Sequence, residues 1–347
     1  MQTPHERAAK SVSTRGSRKR RWVGRIGLGI VILTVCVLLV ARLAPGNLEN
    51  TSGWYIALSY PLFLLRVYES YAIGAACVVA LTCVLARCWG LGVIGWLGIA
   101  ALTLPGAIAA PVVLPSEPAQ RELRLMTCNL LANNPHHAEA LEEVARLNPD
   151  ILLLNEYGVR WQEAVGAELR ERYPNHYEII WPGGTMGIAM FSRVPLIDPK
   201  PIRASTGSRE WISANIDLNG KRVTIMGVHP RHPLGLSGFR ENRLHAAQLA
   251  RLASSHGGEV IIMGDCNFPA GSAQGDRMHK AGLRDAPDIA RTPRAFTWPS
   301  DKKVHVFPRT RIDHIYVTGG LSVSGTVIGD VPGSDHRPVI ADIGVKR

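Results

Sequence analysis

The sequence has no glycine-rich nucleotide loop, no Gly-x-Ser-x-Gly elbow and no cysteine–histidine cluster at zinc-ligand spacing. Those absences argue against nucleotide-loop binding, serine-hydrolase chemistry and a structural zinc site. Cysteine is scarce, six in 347 residues, and Cys36, Cys77, Cys83 and Cys88 lie in or beside apolar runs where a small buried hydrophobe is role enough. Only Cys128 and Cys266 fall in the C-terminal two-thirds, with no metal-ligand spacing between them. There is no internal repeat, and no low-complexity segment beyond a basic N-terminal tail.

Positive charge is scarcer than the net +11 and pI near 9.7 imply. Residues 1–25 carry eight basic groups against Glu6; residues 26–119 are neutral, and the remaining chain has 28 basic against 24 acidic residues, only +4. Nucleic-acid binding leans on many Lys and Arg contacts to phosphate. A basic surplus confined to the tail, with no basic run downstream, makes nucleic acid the weaker partner. Arg18 to Arg21 stand just ahead of an apolar run, where they read as a positive-inside signal.

Three apolar segments follow. Val23 to Ala41 is long enough to span a bilayer, Tyr71 to Ala86 is shorter and continued by Arg87 and Trp89, and Leu91 to Val113 is a third. A cleaved signal peptide fits the first segment poorly, because the run is too long and no small-residue cleavage site follows Arg42. Trp54 to Leu65, interrupted by Pro61, is too short and reads as interfacial or re-entrant. The expected organisation is a basic cytoplasmic tail at 1–22, a membrane region with about three helices at 23–113, a linker at 114–122 and a domain at 123–347. With three spans the domain emerges outside the cytoplasm; if Trp54 to Leu65 also crosses, it faces the cytoplasm.

In that domain, apolar runs end in polar side chains in a fixed order. Leu123 to Asn129 alternates and ends in an amide, and Asp150 to Glu156 is a buried strand ending in a carboxylate. Val223 to Val228 leads into His229, and Ile261 to Met263 leads into Gly264-Asp265-Cys266-Asn267. On a strand, period two puts Asp265 and Asn267 on one face; an Asx turn is the competing reading. Arg311-Ile312-Asp313-His314 and Gly333-Ser334-Asp335-His336-Arg337-Pro338 complete the set. Apolar spacing predicts helices over Pro135–Leu147 and Phe239–Leu252.

The ordered set Asn129, Glu156, His229, Asp265-x-Asn267, Asp313 and Asp335-His336 resembles the endonuclease/exonuclease/phosphatase superfamily. Gly187 to Arg193 and Phe296-Thr297-Trp298-Pro299 add to the likeness, which covers residues 121–345. It implies a DNase I-like α/β fold, a four-layer sandwich of two β-sheets flanked by helices. Cys266 and Asn155, where Gln is common, depart from the pattern and are expected to touch no group that does chemistry.

The implied reaction is phosphoryl transfer assisted by Mg²⁺ or Mn²⁺, which want oxygen ligands. Glu156 is the expected direct ligand, with Asn129 beside it and Asp335 on the metal side. Asp265 and Asn267 are expected to orient and activate water, and His229 and His336 to donate to the phosphoryl oxygens. By the resemblance, Asp313 holds His336. His314, on the opposite strand face, and His232, a loop histidine, read as structural. Membrane spans joined to such a domain also resemble the VanJ-type teicoplanin-resistance proteins. That likeness implies a lipid-linked phosphate or pyrophosphate such as undecaprenyl pyrophosphate, the bilayer itself as partner, and an antibiotic-resistance role in the cell envelope. No obligate protein partner is evident. A membrane-bound nuclease or phosphodiesterase is the alternative.

Overall fold

The computed structural model describes residues 22, 25–27, 29–41, 47–85, 123–181, 184, 186–292, 295–300 and 309–346. The expected span Leu91–Val113, the linker 114–122 and, but for Trp22, the basic tail lie outside the described residues.

Contacts divide the chain into Met1–Ala44 with Pro61–Val112, and Pro45–Tyr60 with Val113–Arg347. In the first, α1 (Arg25–Ala41) is apolar but short. Of the two helices that follow, α2 (Gly53–Val67) carries Pro61, and α3 (Glu69–Leu85) buries Ala76 and Ala80. No single described helix is long and apolar enough to cross a membrane, although Gly53–Val67 and Tyr71–Thr82 meet the length and composition test together as a bent pair.

The second unit is built on two six-stranded mixed sheets. One comprises β1 (Leu123–Asn129), β2 (Ile151–Asn155), β3 (Asn175–Ile180), β4 (Gly187–Ser192), β11 (Leu321–Ile328) and β12 (Val339–Val345), in the order β11-β12-β1-β2-β4-β3. The other comprises β5 (Ile197–Arg203), β6 (Glu210–Leu218), β7 (Lys221–Val228), β8 (Glu259–Asp265), β9 (Arg284–Asp285) and β10 (Asp313–Val317), in the order β5-β6-β7-β8-β10-β9. Each sheet has a single parallel pair, β1 with β2 and β7 with β8, and a helical crossover joins each. These are α4 (His137–Leu147) and α6 (Gly235–Ser255).

Alternation decides what each face buries. Leu125, Leu153, Met190, Ile225, Ile261 and Ile315 meet between the sheets. Their neighbours Met126, Leu152, Leu154 and Phe191 point the other way, onto Leu141 and Val144 of α4 and Trp161 and Leu169 of α5 (Val159–Arg172). Across the second sheet α6 lies over β6, Trp211 meeting His245 edge-on at 5.4 Å between ring centroids. Two sheets flanked by helices are therefore present, as expected. Close approach is bought by glycine where it matters: a Cβ on Gly227 would sit 2.2 Å from Leu153 Cδ1 across the sandwich, and one on Gly264, at φ +144, 2.0 Å from the Val228 carbonyl oxygen.

Residues 47–60 pack on α6. Arg243 donates to the Asn47 carbonyl and lies 5.1 Å from the Tyr55 ring centroid and 5.4 Å from that of Phe239, which Tyr60 meets at 5.2 Å. Part of the stretch expected to be interfacial or re-entrant thus contacts the domain.

Candidate functional site

Register gathers the strand ends. Parallel pairing sets Asn129 beside Asn155 and Val228 beside Gly264, and the antiparallel pairing of β8 with β10 sets Asp265 beside Asp313. The amide of Asn155 then ties the two sheets together: its Oδ1 accepts from Asp265 N at 2.9 Å and its Nδ2 donates to the Val228 carbonyl at 3.0 Å.

Asp265 is the hub. Its Oδ2 accepts from Asn129 Nδ2 at 3.1 Å and Asn267 Nδ2 at 3.2 Å, with His229 Nε2 at 3.5 Å and His336 Nε2 at 3.8 Å. Burial works against its ionisation, but the charge of His336 and the hydrogen bond and charge of His229 more than offset that. The carboxyl is held well below the usual range. Asn267 does not continue the strand: β8 ends at Asp265, Asn267 has φ 55, and its N donates to Asp265 Oδ1 at 2.9 Å. The period-two expectation gives way to the Asx turn, because the carboxylate captures the backbone two residues on. The turn still leaves the two side chains touching.

Asn129 Nδ2 also donates to Glu156 Oε1 at 3.0 Å, while Glu156 Oε2 accepts from Ala132 N at 2.9 Å. Glu156 itself has φ 60, an uncommon backbone state for a side-chain-bearing residue, held at the turn leaving β2.

On the far side of Asp265, His336 Nδ1 meets Asp313 Oδ2 at 2.9 Å, inside the protein. Desolvation would lower its pKa, but Asp313 and Asp265 outweigh that and raise it to about 10. The Thr297 hydroxyl accepts from the N of Ile312 and of Asp313, fixing that strand start. Ser334 Oγ donates to the Asn129 carbonyl at 2.6 Å and accepts from His336 N at 3.0 Å, binding the loop to β1. Asp335 accepts from Trp298 Nε1 at 3.1 Å, and among the described residues no hydrogen bond or ion pair joins it to Glu156 or Asn129. His314 is buried between Asp285 and the Phe268 carbonyl, a structural position.

A divalent ion fits this donor set. Asp265, Asp313 and His336 place ligand atoms within 4.8 Å of one another. Held as a cation, His336 has no lone pair to offer, so the carboxylate oxygens of Glu156 and Asp265 suit a hard ion better; Asn129 turns its Nδ2 to both, while its Oδ1 accepts from Leu131 N at 3.0 Å. Asp313 Oδ1 is buried with no hydrogen-bond partner, which leaves the cluster with more acceptor capacity than the protein's donors use.

A model of the endonuclease/exonuclease/phosphatase family matches residues 126–336, more than half of the chain. The chain belongs to this family. No curated protein matches it. Among solved structures, the endonuclease/exonuclease/phosphatase from Beutenbergia cavernae is similar at 17% identity and TM-score 0.51, covering 65% of this chain and 72% of that one. Humanized D. rerio TDP2 is similar at 16% and 0.54, covering 65% and 100%. The 3′ phosphatase NExo from Neisseria, bound to a product DNA hairpin, is similar at 19% and 0.51, covering 63% and 98%. At these identities the likenesses show the fold. Membership in the endonuclease/exonuclease/phosphatase family makes the chain a phosphoesterase-type hydrolase that binds metal.

Several residues of the site carry no catalytic signal in the sequence. Asn155, expected to touch no chemical group, holds the backbone of Asp265. Thr297, Ser334 and Asn242 likewise act on backbone, Asn242 Nδ2 reaching the carbonyls of Arg231, Cys266 and Asn267. Arg209, which donates to the His229 carbonyl at 3.2 Å, stood in no motif. The residue preceding a motif carboxylate was the one available signal.

Asn155→Leu should cost about 2–5 kcal/mol in chemical denaturation, since the Asp265 N–H and Val228 carbonyl would be left buried without partners. It should also lower kcat more than it raises KM. His336 yields a pH prediction for the metal-free protein. Its pKa is raised above the ordinary 6.5, so the stability it contributes is complete below pH 6.5 and lost as pH rises through about 10. Imidazole NMR titration should find His336 still protonated at about pH 8, and an ordinary midpoint would contradict the charge arrangement.

Proposed function

We propose that this chain is a membrane-anchored, metal-dependent phosphohydrolase acting on a lipid-linked phosphate or pyrophosphate at the outer face of the cytoplasmic membrane. The observation that carries the chemistry is the convergence of Asn129, His229, Asn267 and His336 on Asp265, with Asn129 joining Glu156 to the cluster. Glu156, with Asp265, would hold Mg²⁺ or Mn²⁺, Asn129 stands beside them, and Asp335 is assigned to the metal side. When bound, the ion supplies Lewis-acid neutralisation of the phosphoryl oxygens.

The chain's own groups do the rest. Held ionised, Asp265 accepts a hydrogen bond from the attacking water and aligns its lone pair, with Asn267 fixing the carboxylate. A carboxyl so far below the usual range is a weak base, so its contribution is orientation first and proton acceptance late in the step. His336, kept cationic by Asp313, and His229 donate to the oxygens as charge builds on the phosphoryl group. Anchoring is supported by the apolar segments and the basic tail in the sequence. The weak surplus of +4 in the domain favours a lipid headgroup over a polynucleotide.

The test is phosphate release by the full chain in detergent micelles, comparing prenyl diphosphate, phospholipid and single-stranded DNA, with Mg²⁺ and with chelator. Turnover of the prenyl diphosphate should need the ion, and Glu156→Gln should cut it by roughly 100-fold or more. Activity on DNA alone would replace this reading with the nuclease one. An alkaline phosphatase fused after Arg347 should be active if the domain lies outside; a dark fusion would put it in the cytoplasm.

A further inference from the structure

Beside the hub stand two guanidiniums and an imidazole that the reaction above leaves unused. Arg209 is half-buried and bonds only the His229 carbonyl. Two residues beyond His229, Arg231 has a buried Nε with no partner, and His232 a buried Nδ1 with none. Among the described residues neither guanidinium pairs with a carboxylate. Asp265, Glu156 and Glu241 lie within electrostatic reach of Arg209, but none forms an ion pair with it.

The fold holds these groups together deliberately. His245, fully buried on α6, accepts from Arg231 N at 3.1 Å through Nδ1, which leaves its Nε2–H to donate to the Thr206 carbonyl at 3.0 Å. One neutral imidazole thereby joins the loop after β7 to the loop before β6. Asn242 adds a bond to the Arg231 carbonyl at 2.7 Å, and a Cβ on Gly238 would stand 2.6 Å from the His232 carbonyl oxygen, so α6 packs tightly against the loop.

The two guanidiniums repel one another, and both disfavour a charge on His232. Burial first, then Arg231, pushes Arg209 below its ordinary pKa, and burial, Arg231, Arg209 and His229 push His232 down. Half-desolvated like charges with no carboxylate bonded to them are costly unless a ligand supplies the counter-charge. Arginine's planar fork matches phosphate oxygens bidentately.

We propose that Arg209, Arg231 and His232 form a subsite for a second, non-scissile phosphoryl group, so that the site reads a diphosphate rather than a phosphate monoester. The step cleaved stays as described; the subsite only binds and orients. It rests on the reading of Asp265 and Glu156 as the reacting end. The diphosphate could come from a prenyl lipid or from a soluble compound, and the chemistry recognised is the same.

The test is calorimetric binding of methylenediphosphonate and of methylphosphonate to the full chain in micelles, with the metal withheld and with Mg²⁺. The wild type should prefer the diphosphonate by about tenfold or more, and Arg231→Gln and Arg209→Gln should erase that preference while leaving methylphosphonate affinity within about twofold. Thermal stability should be unchanged or raised in Arg231→Gln, because it removes a repelling charge; a structural role would lower it. No preference in the wild type, or one that survives both substitutions, overturns the subsite. If the preference holds but prenyl diphosphate is not hydrolysed while soluble pyrophosphate is, the subsite stands and the lipid reading falls. If prenyl diphosphate is hydrolysed equally by wild type and both variants, the lipid reading stands and the subsite falls.

Discussion

The amide of Asn155 joins two sheets at the place where each would otherwise end independently. One atom accepts from Asp265 N and the other donates to the Val228 carbonyl, so the end of β2 is fixed against the ends of β7 and β8. Three groups of the hub hang on that junction. Glu156 follows Asn155 directly, His229 follows Val228, and Asp265 is the residue whose backbone is held. Buried backbone groups that must find partners give the junction its strength. Gly227, giving way to Leu153, lets the sheets approach closely enough for an asparagine to reach.

Charge at the hub is balanced around Asp265, and the balance explains why neighbouring groups differ so much. Asp265 is ionised despite complete burial, because two histidines face it and two amides donate to it. His336 is cationic despite burial, because Asp313 and Asp265 flank it. Each state supports the other. Tyr316, buried nearby without such compensation, has its hydroxyl pushed well above its ordinary pKa instead.

Much of this was legible in the residues. β1 spans Leu123–Asn129, the run that ends in an amide, and α4 and α6 cover the two apolar spacings expected to be helical. Asp313 and His336, joined in the sequence only by resemblance, do meet. Three things were not legible. The turn at Asn267 depends on whether a carboxylate captures a backbone N–H, which alternation does not encode. Asn155, Thr297, Ser334 and His245 act on backbone atoms distant in sequence, and their types carry no signature of it. Arg209 and Arg231 belong to different loops, so nothing along the chain joins them. The apolar segments raise a different difficulty, since hydropathy speaks to a bilayer while the described helices, taken singly, are too short to cross one.

Asp313 acts through His336, and this pair and Asp265 serve one chemical step. A double-substitution cycle on kcat/KM, using Asp313→Asn and His336→Gln on whichever phosphate ester proves to be turned over, tests it most directly. Each single change should cost on the order of 100-fold to 10,000-fold, and the double change no more than about threefold beyond the worse single one, because groups acting as a unit are strongly non-additive. Fully multiplicative losses would mean that Asp313 and His336 work independently, and the arrangement around Asp265 would then have another purpose.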